Sequence, residues 1–360
     1  MDNVFDFRNR LINEYSSFSR SFSKVSAQDI LSKVELEYDR GRYWPEPLIQ
    51  INPNYKRQST VQQLAHEGML HASCSHIFQT GKTEGKAADL HLYVHQLQAL
   101  AKAQKQQSYV VTTGTGSGKS LAFFVPIIDR ILKAKQADPQ KRTRAIVIYP
   151  MNALANSQLE ELDKFLHGYP DDQKPFTVAR YTGQESDADR KQIADNPPDI
   201  LLTNFMMLEL ILTRFEDVDR RVVEHCQGLE FLVLDELHTY RGRPGADVAL
   251  LVRRLRERLQ AHQLVCIGTS ATMSSTGTQA DRNQTVATVA TLLFGTQITE
   301  QDVIGETLER VTNPGKDIHT VTPMLKQALQ QGSYHWPDFA AFSDDPLAVW
   351  VELVLGIELP

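Results

Sequence analysis

The apolar positions of this 360-residue chain change their period along its length. Over residues 1–85 they recur mostly at helical spacing with irregular interruptions. Ser26-Ala-Gln-Asp-Ile-Leu predicts a helix start, and Val61–Leu70 is again helical in spacing. Between them, Tyr43-Trp44-Pro45-Glu46-Pro47 and then Pro53 predict an extended segment, because proline pushes the residue before it out of the helical region. From Leu90 onward short apolar runs alternate with helical patterns. Ser108–Thr112, Ala145–Tyr149, Phe176–Tyr181, Ile200–Thr203, Phe231–Leu234 and Leu264–Gly268 read as strands. Helices are predicted from about Lys119 to Lys133 and from Asn152 to Leu166. Runs that are apolar throughout, rather than alternating, belong to strands buried on both faces, and the helices between them supply the cover. The expected fold class is therefore α/β, a doubly wound parallel sheet between two helical layers. Residues 1–85 are expected to form a mostly helical accessory segment and 86–275 the α/β domain. Ser274–Arg282 reads as a linker, so 276–360 are expected to hold that linker or the start of an inserted or second domain, mostly helical.

Composition adds bounds to this picture. Hydrophobic residues make up 41% and charged residues 23%, enough for a buried core. A formal charge of −6 argues against a uniformly cationic surface, so any nucleic-acid contact must be a local groove. The three cysteines, Cys74, Cys226 and Cys266, form no C-x-x-C pair, which excludes a disulfide framework and a cysteine-rich zinc site in this stretch. Each reads as a small buried apolar residue. The N-terminal residues lack a basic region followed by an apolar core, and no apolar run reaches the ~20 residues that span a bilayer. A cytoplasmic protein without a membrane partner is the expectation.

Two segments carry chemistry. Thr113-Gly114-Thr115-Gly116-Ser117-Gly118-Lys119-Ser120 lies between a predicted strand and a predicted helix. Its glycines let successive N–H groups converge on phosphate oxygens, at a point where the helix dipole is also positive. Lys119 is placed to reach the terminal phosphates and Ser120 to ligate Mg²⁺. A chance Gly/Ser turn rarely falls between strand and helix in this way. The second segment is Phe231-Leu-Val-Leu-Asp235-Glu236-Leu237-His238, an apolar strand ending in two acids. Asp235 suits a metal site and Glu236 the attacking water. An acid-rich helix start is the competing reading. His238, taken alone, needs only a local hydrogen bond.

The loop, the Asp235-Glu-Leu-His box and the later Thr269-Ser270-Ala271-Thr272 occur in the order of the superfamily 2 DExD/H-box helicases. Tyr149-Pro-Met-Asn152-Ala153-Leu-Ala-Asn-Ser-Gln158 resembles their motif Ia, Tyr181-Thr182-Gly183 motif Ib, and Leu202-Thr203-Asn204 the contact motif after it. His95-Gln96 resembles the upstream glutamine motif that reads adenine. Asp235-Glu-Leu-His-Thr-Tyr-Arg-Gly with Gly245-Ala-Asp-Val and Arg253-Arg254-Leu255 looks most like the MrfA/YprA-type helicases and the DISARM helicase DrmA, whose W-P-x-P element resembles Trp44–Pro47.

The resemblance implies a RecA-like P-loop domain that binds ATP and Mg²⁺. In it Lys119, Asp235, Glu236 and His238 act on the phosphates, the metal and water, and Gln96 reads the base. Asn152, Ala153, Gln158, Thr182, Gly183, Thr203 and Asn204 grip the sugar–phosphate backbone of nucleic acid, single-stranded or tailed duplex DNA rather than RNA. Thr269, Ser270 and Thr272 couple the two ends. The box reads D-E-L-H rather than D-E-A-H, which leaves the ligand residues intact. No segment after Thr272 resembles the arginine-bearing motifs V and VI, so a second RecA-like domain or downstream polypeptide is the expected source of that arginine. Several features keep a plainer reading: Gln96 as a helix-surface glutamine, the Thr269 and Thr272 hydroxyls closing a turn, Asn152 as a helix cap. Arg253, Arg254, Arg256 and Arg258 read as a solvated helix face, and Trp44 as packing rather than base stacking. Two alternatives to a helicase are an ATP-switched clamp in a defence or repair complex and a transporter-type ATPase, the latter weakened by the lack of an L-S-G-G-Q signature.

Overall fold

The computed structural model describes residues 3–22, 24–41, 54–114, 116–271, 278–331 and 335–356. The chain divides into two compact units, one of Asn54–Glu309 and one of Met1–Pro53 with Arg310–Pro360. The larger unit begins earlier and ends later than the expected 86–275. Its early residues Val61, Leu64, Cys74, Ile77 and Phe78 are buried in the same core as the sheet. The W-P-x-P element, Thr115, Thr272 and residues 274–277 of the expected linker lie outside the described residues; the rest of that linker is instead the start of a helix, Gln279–Phe294, capped by the Thr278 hydroxyl.

Seven parallel strands form the central sheet of the larger unit. They are β1 (Tyr109–Thr112), β2 (Ala145–Tyr149), β3 (Val178–Tyr181), β4 (Ile200–Asn204), β5 (Phe231–Leu234), β6 (Val265–Ser270) and β7 (Val303–Gly305), in the order β7-β1-β6-β5-β2-β4-β3. The expected RecA-like α/β class is the one observed. Strand residues alternate between the two faces as the pleat requires. Val110, Ile146, Ile148, Leu232, Leu234 and Cys266 enter one core cluster. Tyr109, Val111, Val147, Tyr149, Val233 and Ile267 enter the other.

Helices α1 (Val94–Gln104), α2 (Leu121–Ala137) and α3 (Asn152–Leu166) cover the second of these clusters. On the first lie α4 (Asp187–Asp195), α5 (Phe205–Thr213), α6 (Asp217–His225), α7 (Arg243–Arg258) and α8 (Gln279–Phe294). Strand β7 falls where the sequence predicts mainly helix. Its three residues pair with Val110, Val111 and Thr112 of β1, a partnership too short to leave a periodic signal. All three cysteines are free and buried, as expected.

The smaller unit is helical, with Val4–Ser21, Gln28–Asp39, Ile318–Gln331, Phe339–Asp344 and Pro346–Val351. Val321, Val349 and Leu353 form its core. The Glu352 carboxylate accepts the N–H groups of Val311 (2.6 Å) and Thr312 (2.8 Å).

Gly268 shows how tightly β6 is packed beneath the acidic box. A Cβ at this position would lie 2.3 Å from Leu237 Cδ1 and 3.1 Å from Phe294 Cζ. Gly268→Ala should destabilise the protein by about 1–3 kcal/mol through overpacking, lowering Tm by roughly 2–10 °C. Differential scanning calorimetry measures this directly. An unchanged Tm would mean that Leu237 has room to move.

Candidate functional site

The phosphate loop leaves the carboxyl end of β1 and enters α2. Gly116 (φ 80°) and Gly118 (φ 67°) occupy the left-handed region, which is why glycine is required there. The buried Thr113 and Ser117 hydroxyls lie 2.6 Å apart and staple the loop internally. Lys119 Nζ donates to the carbonyls of Thr113 (2.9 Å) and Gly114 (3.2 Å), so its ammonium lies over the loop. Ser120 is the last residue before α2.

Gln96 is buried beneath this loop, and both ends of its amide are occupied. Oε1 accepts from the Tyr93 N–H at the start of α1 (2.9 Å), and Nε2 donates to the Gly118 carbonyl (2.8 Å). A Cβ on Gly118 would meet Nε2 at 2.6 Å. The geometry thus gives Gln96 the task of supporting the loop, in addition to any contact with a base. His95 does the same through Nε2, 2.9 Å from the Ser117 carbonyl, and burial pulls its pKa below the ordinary histidine value. From the far edge of the sheet, Glu306 accepts the Gly114 N–H at 2.8 Å.

Asp235 and Glu236 follow β5. Thr269, in the neighbouring β6, donates its hydroxyl to Asp235 Oδ1 and accepts the Glu236 N–H at 3.2 Å. One side chain therefore holds both acids. Glu236 has φ 54°, a left-handed conformation costing a non-glycine residue roughly 1–2 kcal/mol. Its Oε2 lies 3.1 Å from His238 Nδ1, which in turn is 3.4 Å from the Ser270 hydroxyl. Burial holds the Asp235 carboxyl above its ordinary range. The Thr269 hydroxyl and Lys119 offset this only in part, and Glu236 adds to it. A half-buried carboxylate with incomplete compensation is suited to a cation. Among the described residues no cluster of three or more His, Cys, Asp or Glu could cage a metal. One carboxylate with the Ser120 hydroxyl fits Mg²⁺ held jointly with nucleotide phosphates, its usual mode.

A second constellation occupies the carboxyl ends of β2, β4 and β3. Asn204 Nδ2 donates to Asn152 Oδ1 (2.7 Å) and to the Thr182 carbonyl (3.0 Å), while its Oδ1 caps α5 through the Met207 N–H (2.7 Å). Ala153 is exposed beside them. Two expected contacts are not brought to this surface. Thr203 is fully buried, and its hydroxyl donates to the Tyr181 carbonyl (2.6 Å). Gln158 lies farther along α3, and its amide oxygen is buried. A groove of about 790 Å³ opens here, lined by Met151, Asn152, Asn204, Met206, Thr239 and Tyr240 among others. Another cleft, of about 590 Å³, is lined by Arg130, Arg142, Glu230 and Gln260 among others, at the amino ends of β5 and β6, and holds none of the expected site residues. The arginines of α7 are not simply solvated: Arg254 pairs with Glu209, Arg253 donates to the Leu292 carbonyl (3.3 Å) and Arg256 to Thr296 (2.9 Å).

Two carboxylates of the site escaped the sequence reading. Glu185 accepts the N–H groups of Thr182 (2.7 Å) and Gly183 (2.9 Å) and pairs with Arg180 (2.7 Å). Its spacing from Thr182 is that of a capping box, a signal that was readable. Glu306 had none, because it meets Gly114 across 192 residues of sequence.

Comparison with known proteins identifies the family. The sequence profile of the DEAD/DEAH box helicases matches residues 93–280, more than half of the chain. YprA of Bacillus subtilis, an ATP-dependent helicase by name, is 34% identical over 186 residues, covering 51% of this chain and 23% of YprA. The Lhr helicase/uracil glycosylase of Escherichia coli is 32% identical over 186 residues, covering 48% of this chain and 12% of Lhr. The crystal structure of the DUF1998 helicase MrfA bound to DNA superposes with a TM-score of 0.54 at 25% identity, over 71% of this chain and 30% of MrfA. The matched curated relatives are thus several times longer than the part this chain spans.

The Glu185 network carries a pH signature. Burial alone would raise its carboxyl, but the Thr182 N–H and the Arg180 guanidinium outweigh that and hold it below the ordinary range. A depressed carboxyl contributes stability that is present above its unfolded-state pKa and lost as pH falls through the folded one. Glu185→Ala should therefore cost roughly 1.5–3 kcal/mol at pH 7, and the gap to wild type should close in acid. Tm against pH for both proteins checks it; a gap that widened below pH 4 would refute the assignment.

Proposed function

The chain belongs to the DEAD/DEAH box helicase family, and we propose that it forms the ATP-binding half of a DNA helicase or translocase motor. One observation carries this reading. The strand order puts β1, β6 and β5 side by side, then β2, β4 and β3. The same sheet edge therefore carries the glycine loop with Asp235 and Glu236 and, next to them, the Asn152–Asn204 groove, which supports the reading.

In this reading the loop N–H groups and the α2 amino terminus hold the phosphates of ATP. Lys119 moves from the Thr113 and Gly114 carbonyls onto the terminal phosphates. Ser120 and Asp235 hold Mg²⁺, which neutralises phosphate charge when bound. Glu236 orients the attacking water and takes its proton, and Thr269 keeps Glu236 and Asp235 in register. Asn152, Asn204 and the Thr182–Gly183 turn meet the sugar–phosphate backbone without reading sequence. DNA is favoured because MrfA, similar in fold and sequence, has been solved bound to DNA. A second RecA-like domain or downstream polypeptide supplies the transition-state arginine, a contribution typically worth about 10³–10⁵ in rate.

Lys119→Ala should weaken Mg·ATP binding about ten- to a hundredfold, as expected for one charge-assisted contact. Isothermal calorimetry reads this, and unchanged affinity would sink the phosphate-loop assignment. Glu236→Gln should bind ATP normally, yet lose about 10²–10⁴ in turnover wherever the complete motor is assayed. Strand displacement on a tailed duplex separates the motor from an ATP-switched clamp, which would bind DNA in response to ATP and displace nothing.

A further inference from the structure

The cleft at the amino ends of β5 and β6 lies at the opposite edge of the sheet from the phosphate loop and the acidic box, and the motor reading makes no use of it. Its volume of about 590 Å³ falls in the range of ligand-binding cavities. Ala103, Pro126, Leu229, Phe231, Ala261 and Val265 give it apolar walls. Two helices end at its rim with the same cap. Beyond α1 the Gln106 N–H donates to the Ala103 carbonyl (2.9 Å) and the Gln107 N–H to the Lys102 carbonyl (3.1 Å). Beyond α7 the Gln260 N–H donates to the Glu257 carbonyl (3.2 Å) and the Ala261 N–H to the Arg256 carbonyl (3.0 Å). Each pair forms a helix ending whose left-handed residue is ordinarily glycine. Here that residue is glutamine both times, Gln106 at φ 56° and Gln260 at φ 49°. Among the described residues one other non-glycine residue has a positive φ, Glu236 of the acidic box. Strained backbone of this kind concentrates where a protein binds something.

The acids and strong bases of the lining are Asp129, Glu230, Arg130, Lys133 and Arg142. Both acids are committed within the protein. Asp129 accepts the His71 N–H (2.6 Å) and Lys133 (2.8 Å), and Glu230 accepts from Arg130 (2.7 Å) and Arg142 (3.0 Å). Arg142 spends its other terminal nitrogen on the Gln227 and Gly228 carbonyls. Arg130 is half exposed and commits its Nε alone, so its two terminal nitrogens keep their donors. Three cations against two acids leave one positive charge over. The exposed carboxamides of Gln106, Gln260 and Gln263 line the same space and make no hydrogen bond to a described residue. A carboxamide offers a donor and an acceptor in one plane, the complement of a peptide group. The fork of a guanidinium matches a carboxylate. A single surplus charge balances one carboxylate, whereas a phosphate monoester, with nearly two charges at neutral pH, exceeds it.

We propose that this cleft is a docking site for an acidic peptide segment of a partner protein. An aspartate or glutamate of the segment takes the free fork of Arg130. Its main-chain amides pair with Gln106, Gln260 and Gln263, and a neighbouring apolar side chain rests on the cleft walls. Glutamine stands at two glycine positions because it supplies these contacts. The inference does not rest on the motor reading: the cleft is at the amino edge of the sheet, and the candidate ATP site and the Asn152–Asn204 groove are at the carboxyl edge.

The probe is a set of short fluorescein-labelled peptides, varied in sequence around one fixed Asp or Glu, with a matched set carrying Asn or Gln there. Fluorescence anisotropy reads their binding to the full chain. The tightest acidic peptide is then titrated against Arg130→Gln, Gln106→Gly, Gln260→Gly and the double glycine variant. Its neutral counterpart should bind about tenfold more weakly or worse, and Arg130→Gln should lose roughly ten- to a hundredfold. If Arg130→Gln lowers Tm by breaking its pair with Glu230, the neutral peptides test the same contact from the other side. The glycine variants should bind more weakly while their Tm rises, because glycine relieves the left-handed strain. Glycine variants with a raised Tm and unchanged affinity would overturn the proposal, by showing that the glutamines are caps and nothing more. Wild-type protein that binds no acidic peptide, or binds the acidic and neutral sets alike, would overturn it too. So would displacement of the peptide by AMP at comparable concentration, which would make the cleft a nucleotide site.

Discussion

The parallel pairing of β6 with both β1 and β5 is the constraint on which the site depends. Register sets Ser270 opposite Thr112 and Gly268 opposite Leu234, so the three strands end almost flush. Thr269 stands one residue beyond the last paired residue of β5. From there its hydroxyl reaches Asp235 and accepts the Glu236 N–H, while the phosphate loop starts next door at Thr113. Side chains alternate faces with every residue, so a slip of one position would turn Thr269 away from the acids. Gly268 secures the register from below, because only a residue without a Cβ leaves space for Leu237.

The two edges of the sheet treat charge differently. At the amino edge Glu230 faces Arg130 (2.7 Å), Arg142 (3.0 Å) and Arg144 (3.6 Å). Asp199 there has Lys135 (2.6 Å) and the Thr177 N–H (2.8 Å). These groups are matched within the protein and serve to hold it together. At the carboxyl edge Asp235 is half-buried with one side-chain donor, the Thr269 hydroxyl, and Glu236 is backed by the His238 ring. Compensation that the chain does not complete is what a cation and phosphates would supply, which supports the proposed reading of this edge.

Groove and phosphate site share one edge yet are built from different strands. The Tyr149–Asn152 corner and the turn from Glu236 to Tyr240 each belong to both sides, one through chain continuity and one through hydrogen bonds. Neither arrangement could be assembled from a loop on a single strand.

Local sequence was sufficient wherever one contiguous stretch sets the physics. The run Tyr109–Ser120 specifies strand, turn and helix start in twelve consecutive residues. Phe231–Glu236 likewise places its acids at the tip of a buried strand, and the apolar runs with their helical spacers declared a covered parallel sheet. Roles that depend on a distant partner stayed hidden. Gln96 was legible as a glutamine resembling the adenine-reading motif or as a helix-surface residue, but only the fold shows it buried with its amide clamped between Tyr93 and Gly118. Thr203 and Asn204 are adjacent in sequence, yet the pleat buries one and presents the other. Glu306 and β7 become part of the phosphate site because an edge strand far down the chain pairs with β1. Periodicity records which face a residue turns to the core; it holds no record of which strand lies alongside, and that pairing decided the site.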